Sequence, residues 1–260
     1  MVNALRAAAT GMEAQMEQIE NITNNLANVN TAGFKKTRAE FQDLMYETLQ
    51  EPGANTSAQT QAPVGIQRGM GVTVSGTARN FEMGSPQKTD RDLDVMIKGE
   101  GFFVVQTPNG EPGYKRDGSF FKSAAGRLET IDGYPLEPEI TIPGNVLKVQ
   151  ITEEGQVNGF TANSERIQLG QIQLATFVNN GGLKAMGKNL FAATEASGVA
   201  NLVVPTENGS GGLLQNYLES SNVDVVREMT EMISAQRSFE MNSKVIQSVD
   251  QMLQNTVNIR

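Results

Sequence analysis

Apolar positions near the start of the chain recur every three or four residues. Leu5, Ala9, Met12, Met16, Ile19 and Leu26 follow one another at spacings of four, three, four, three and seven, with Ile22 widening the stripe. That is the repeat of an amphipathic helix with a heptad-like seam, and it predicts a helix of about 25 residues rising about 1.5 Å per residue. Gly33 lies just beyond. It reads either as a helix C-cap with Phe34 packing back, or as the point where the chain leaves the helical layer with Phe34 as its anchor. The far end mirrors the near one. From Asn222, a good N-cap residue, Val225, Met229, Met232, Phe239, Ile246, Leu253 and Val257 keep a seven-residue rhythm. Val226, Ile233 and Val249 broaden it, and Gln236, Ser243 and Asp250 interrupt it. A helix from about Asn222 to Asn255 spans roughly 50 Å, too long to bury one face against a small body of its own. It needs a partner helix, and the amino-terminal one is at hand.

Between the two lies a β-type zone. Short apolar runs, Val95 to Ile97, Phe102 to Val105, Phe120 to Phe121, Val146 to Ile151, Ile167 to Phe177 and Leu202 to Val204, are separated by turn signals. Asn-Gly at 109, 158, 180 and 208 and Asp-Gly at 117 and 132 predict hairpins, so the zone reads as antiparallel sheet. Glu51 to Pro63 holds no large apolar residue and reads as a loop or extended linker.

Composition removes most catalytic chemistry. The 260 residues contain no histidine, cysteine or tryptophan. No disulfide, thiolate metal cage, imidazole shuttle or Ser-His-Asp nucleophile is possible. The net charge of −8 argues against a phosphate-backbone binder, and the tight basic group Lys35, Lys36 and Arg38 is diluted at once by Glu40 and Asp43. No apolar run approaches the roughly 18 residues needed to span a bilayer, and the first residues lack the continuous apolar stretch of a Sec signal. Met1 to Asn30 carries four charged side chains against ten Asn, Gln and Thr. Amides are cheaper than ions to bury between neighbours, so the two ends read as assembly elements, their methionines as adaptable core.

The remaining candidates for chemistry are weak. Asp90, Asp92 and Asp94 alternate like the opening of an EF-hand loop, but the sixth position is Val95 instead of Gly and the twelfth is Gly101 instead of Glu. They read as a solvated strand edge. Glu153 and Glu154 are adjacent, and neighbours in a strand point to opposite faces. The groups GMG at 69–71 and GEG at 99–101 complete no nucleotide-binding motif. Neither catalytic, cofactor nor metal residues are assigned.

Three stretches carry a family resemblance. NNLANVNTAGFKKTRAEF, Asn24 to Phe41, resembles the amino-terminal signature of the bacterial flagellar basal-body rod and hook proteins, with Asn24, Asn25, Leu26, Ala27, Asn28, Thr31, Gly33 and Phe34 as motif residues. YLESSNVDVVREMTEMISAQRSFEMNSKVIQSVDQML, Tyr217 to Leu253, looks like their shared carboxy-terminal motif. DVMIKGEGFFVV with YKRDGSFFKSAAGRLETIDGYPL is similar to their common β domain. Length fits a rod member, and Phe41 to Pro63 resembles the segment with which the distal-rod branch contacts neighbouring subunits, here Tyr46, Glu51, Pro52, Gly53 and Pro63.

The resemblance implies an α+β chain whose long terminal helices pair as an inner coiled-coil layer beneath a mostly antiparallel β domain. The expected organisation is an N-terminal helix over 1–34, a connecting segment over 35–70 with a rod-specific loop at 46–63, a β domain over 71–216 and a C-terminal helix over 217–260. The assembly residues expected on the helices are Leu5, Met12, Met16, Ile19, Leu26, Met229, Met232, Phe239, Ile246 and Leu253. The implied role is structural and non-enzymatic, without cofactor: a subunit of a helical homopolymer in the periplasmic part of the flagellar basal body, exported without a cleaved Sec signal. Implied partners are proximal rod proteins, the hook protein, the basal-body ring proteins and the flagellar export apparatus, with neither nucleic acid nor a membrane. A proximal rod subunit, an acidic β-domain module binding calcium or a small ligand as a helical dimer, and a carboxylate hydrolase are the alternatives.

Overall fold

The computed structural model describes residues 2–52, 55–57, 60–61, 64–162 and 165–258. A helix stands at each end, α1 over Val2–Ala27 and α2 over Val225–Asn258, with antiparallel β-structure between. The chain forms two compact units: Met1–Ala27, Thr37–Ala78 and Asp224–Arg260 make unit 1, and Asn28–Lys36 with Arg79–Val223 makes unit 2. It therefore passes between units four times.

In unit 1, α1 is rich in alanine and free of proline, which favours helix throughout. It ends at Ala27 in a run of turns, where Thr31 N donates to Asn28 O (3.1 Å) and Phe34 N to Thr31 O (3.2 Å). Gly33, six residues beyond the last helical residue, is not its C-cap. At the start of α2 the cap is Asp224, not Asn222: Asp224 Oδ1 accepts from Val226 N (2.9 Å) and Arg227 N (3.2 Å). A carboxylate there satisfies orphan amides and faces the positive end of the helix dipole.

The expected loop from Tyr46 is largely ribbon. Tyr46–Gln50 pairs antiparallel with Ile66–Gly69, placing Tyr46 opposite Gly69 and Glu47 opposite Arg68, and Asn55–Ser57 pairs with Thr60–Gln61. Alternation in YETLQ suffices for a strand once a partner is supplied.

Unit 2 is organised around Phe102–Gln106, whose apolar run FFVV is buried on both faces. Its sheet runs Lys184–Gly187, Leu190–Ala192, Pro112–Lys115, Phe102–Gln106, Leu174–Thr176, Asn201–Val203, with Leu136–Glu137 also paired to Phe102–Gln106. Phe103 and Val105 face a core shared with Val95, Ile97, Phe120, Leu128, Ile172 and Leu174; Phe102 and Val104 face a second core with Tyr114, Phe177 and Phe191. Phe103 and Phe120 meet edge to face, centroids 5.1 Å apart. Each such side chain contributes about 1.5–3 kcal/mol of burial.

Four turn signals behave otherwise than expected. Asn180–Gly181 lies in a single 3-10 turn and Asn208–Gly209 in a turn, each between strands that pair elsewhere. Asn158 and Gly159 lie inside Gln156–Thr161, where a Cβ on Gly159 would come within 2.8 Å of Val146; the glycine admits a neighbouring side chain. Asp117–Gly118 likewise makes no hairpin, since Gly118 is pressed against the Val95 carbonyl. Glu153 and Glu154 sit in a turn instead of a strand.

Candidate functional site: helix faces and a buried charge clamp

Within unit 1, α1 and α2 lie antiparallel. Asn25 Nδ2 donates to Glu228 Oε2 (3.1 Å), and a Cβ on Gly11 would stand 2.9 Å from Asn242 Nδ2. Fourteen residues back along α1, from 25 to 11, match fourteen forward along α2, from 228 to 242. On α2 the seam is heptad-spaced: Glu228, Ala235 and Val249 are buried, and Met232, Phe239, Ile246 and Leu253 half-buried. On α1 the buried positions are Ala8, Ala14, Ile22 and Asn25, and Gly11 gives α2 room beside Asn242.

The expected α1 stripe is therefore not the buried one. At about 100° per residue, Leu5, Met12, Met16 and Ile19 lie on average roughly a quarter of a turn around from the mean direction of Ala8, Ala14 and Ile22, while Leu26 is in line with Ala8. They are half-buried, except Met16, which is 51% exposed. On α2, Met229 also points outward, in a patch with Val226 and Ile233, and Met241 and Val245 form a second patch. Both helices carry more apolar surface than their mutual seam uses.

Of the expected motif residues, Asn25 and Gly33 are buried, Asn25 at 2% exposed. Its Oδ1 accepts from Thr37 N (2.9 Å) while its Nδ2 donates to Thr37 O (2.8 Å) and to Glu228. One amide thus staples α1, the following strand and α2. Asn24 and Ala27 are on the exposed side, Leu26 is half-buried, and Asn28 and Thr31 shape the turn, Thr31 Oγ1 meeting Asn28 Oδ1 at 3.2 Å.

In unit 2 the short piece Asn28–Lys36 is held by charge. Glu219, 1% exposed, accepts from Lys35 Nζ (2.7 Å) and Gly84 N (2.8 Å) through Oε1 and from Arg116 Nε (2.6 Å) through Oε2. Lys35, 1% exposed, also donates to Glu82 O (2.6 Å). Arg116 spends its remaining donors on the carbonyls of Gly101 (2.5 Å), Gly99 and Ile97 (3.4 Å). Beside it Lys115 pairs with Asp117 at 3.0 Å. Burial lowers the Lys35 pKa from its ordinary value, opposed by the Glu219 carboxylate.

Backbone contacts complete this clamp. Gly33 N donates to Glu219 O (2.8 Å), and Lys36 N to Asn222 Oδ1 (2.8 Å), while Asn222 Nδ2 reaches Asn80 O (2.9 Å). Asn222 therefore serves the clamp instead of capping α2. Gly33 adopts φ +68°, and a Cβ on it would lie 2.6 Å from Asp117 N. Phe34 is half-buried beside it.

Three family models match the chain in order. The flagella basal body rod protein model matches residues 5–35, the flagellar hook protein FlgE/F/G D1 domain residues 96–159, and the flagellar basal body rod FlgEFG protein C-terminal model residues 214–259. Flagellar basal-body rod protein FlgG of Caulobacter vibrioides is 48% identical over 100% of both chains. Those of Buchnera aphidicola (strain APS) and Bacillus subtilis are 46% and 37% identical over 98% and 100% of this chain and equal shares of theirs. The chain belongs to the flagellar basal-body rod protein family. A Helicobacter pylori flagellar hook protein FlgE2 structure aligns with 71% of this chain and 43% of its own at 13% identity and TM-score 0.25, too slight a likeness to carry an argument.

The rod family is structural, which removes the hydrolase reading. Each of the three rod-family segments supplies one member of the clamp: Lys35, Arg116 and Glu219 fall in the first, second and third matches. Sequence reasoning missed all three. A signal was available for Glu219, a lone charge inside the uncharged run NYLESSN; Lys35 and Arg116 sit among other charges, in FKKTR and YKRDG.

The expected bracing residues lie on the ribbon of unit 1. Tyr46 is 54% exposed, Glu51 and Pro52 are exposed, and Gly53 and Pro63 lie outside the described residues. Leu49, Val64 and Ile66 add exposed apolar surface. The aspartate series is not a solvated edge: Asp94 is buried, 3.3 Å from Arg91 Nη1, and Asp92 Oδ1 accepts from Asn216 Nδ2 (3.4 Å). Among the described residues no group of three or more acidic side chains could hold a metal, and no helix is long and apolar enough to cross a membrane.

Proposed function

We propose that this chain is the structural subunit of the flagellar distal rod, polymerising into a rigid helical tube that carries torque from motor to hook and encloses the export channel. The observation that carries it is the apolar surface left on the terminal helices after their own seam is made: Val226, Met229, Ile233, Met241 and Val245 on α2 and the Met12–Met16–Ile19 stripe on α1. Surface of that kind is covered by partners. Different faces of α1 and α2 meeting between copies make heterologous contacts, which grow into filaments instead of closing into a dimer. In the tube the helices form an inner coiled-coil layer and the β unit an outer one. The assembly residues are those expected on the two helices, from Leu5 to Leu26 and from Met229 to Leu253.

The ribbon between Tyr46 and Pro63 braces adjacent subunits. Proximal rod proteins, hook protein, basal-body rings and export apparatus are its neighbours in the periplasmic basal body, reached without a cleaved Sec signal. The FlgG relatives favour the distal over the proximal rod, and the failed EF-hand template disfavours a calcium module.

Sedimentation of the full chain over a concentration series tests the reading. Open-ended polymer is expected for the natural sequence, and a soluble species of unchanged far-UV circular dichroism for Met229→Asp/Ile233→Asp. A fixed dimer, or polymer indifferent to those substitutions, refutes it. Deleting 46–63 is expected to leave polymer of lower bending stiffness in electron micrographs; equally straight polymer removes the brace.

A further inference from the structure

The last segment of unit 2 closes it. Gly212–Gln215 pairs with Val95–Lys98, and Tyr217–Glu219 with Pro86–Lys88. Gln215 stitches two further segments, donating to Asp92 O (2.7 Å) and Val149 O (2.8 Å) and accepting from Ile151 N (3.0 Å). The same segment brings Glu219 to Lys35, 184 positions earlier, and to Arg116, 103 positions earlier. Among the described residues neither cation forms an ion pair with any other carboxylate.

A buried cation deprived of its counter-ion strongly destabilises the fold around it. We propose that unit 2 is gated by its C-terminal segment: a chain delivered only as far as residue 216 cannot bury Lys35 and Arg116, so the strands up to Asn201–Val203 stay open until Glu219 arrives. Synthesised or threaded N-terminus first, the β unit therefore closes late and in one step, with Glu219 as its checkpoint. This acts within one chain and stands apart from the polymer reading.

Ribosome-arrested chains presenting residues 1–203, 1–216 and 1–224 beyond the exit tunnel test it, with trypsin cleavage after Arg116, 3% exposed when closed, as the readout. The two shorter chains are expected to be cut about 100-fold faster than the longest. Glu219→Gln in the longest should be cut like the short ones, and Glu207→Gln, at an exposed carboxylate of unit 2, like the natural sequence. Protection already present at 1–203 or 1–216, or undiminished by Glu219→Gln, overturns the proposal. In the released full chain, adding Lys35→Met to Glu219→Gln removes one unpaired cation and is expected to recover about tenfold of the lost protection. Losses that simply add overturn its charge basis.

Discussion

Gly33→Ala perturbs the clamp through backbone alone. At φ +68° an alanine incurs about 1–2 kcal/mol of left-handed strain. Its Cβ would also fall 2.6 Å from Asp117 N, 2.9 Å from Asp117 Cα and 3.0 Å from Arg116 C. These are backbone atoms that cannot swing aside, so the segment must retreat by several tenths of an ångström. Retreat lengthens the 2.8 Å bond from Gly33 N to Glu219 O, and a buried bond left unmade costs about 1–3 kcal/mol. The sum is about 2–5 kcal/mol. Gly110→Ala is the internal control: its φ is +80°, yet nothing lies within 4 Å of the added Cβ, so only the strain of about 1–2 kcal/mol applies. Urea unfolding of the full chain followed by near-UV circular dichroism reads unit 2 through Tyr114, Tyr134 and Tyr217. A Gly33→Ala midpoint no lower than that of Gly110→Ala would refute the close-approach argument.

Three further outcomes are expected. Asn25→Ala strips Glu228 and Thr37 of their shared partner and should cost unit 1 about 2–4 kcal/mol in thermal unfolding; a loss below about 1 kcal/mol would show that water replaces the staple. Asp224→Ala should cost α2 about 1 kcal/mol, while Asn222→Ala leaves helix content by far-UV circular dichroism unchanged; the reverse order would restore Asn222 as the cap. Because burial lowers the Lys35 pKa below the roughly 10.4 of an unfolded chain, the unfolded state binds more protons between those two values. Stability of the natural sequence relative to Lys35→Met therefore rises with pH across that window, and a flat or falling difference in urea midpoints would contradict it.

Much of the architecture was legible in the chain because it is local. Seven-residue spacing found α1 and α2 and the Met232–Phe239–Ile246–Leu253 seam, and apolar runs found the strands around Phe102 and Val146. Boundaries slipped where two residues competed for one role, as Asp224 did with Asn222. The Asn158–Gly159 pair lost its turn to a neighbouring strand, since a dipeptide does not record what packs over it.

By itself the sequence determined two amphipathic ends, a β-rich middle, the absence of imidazole and thiol chemistry, and a family. Tertiary structure alone decided which face of α1 turns inward. Ala8, Ala14, Ile22 and Asn25 are the buried positions, whereas Met16 on the expected stripe is 51% exposed and left for other contacts. Tertiary structure alone also brought Lys35, Arg116 and Glu219 together. Periodicity is a property of neighbours along a helix or strand, whereas a buried ion triad is fixed by the path of the whole chain and leaves no regular spacing to be read.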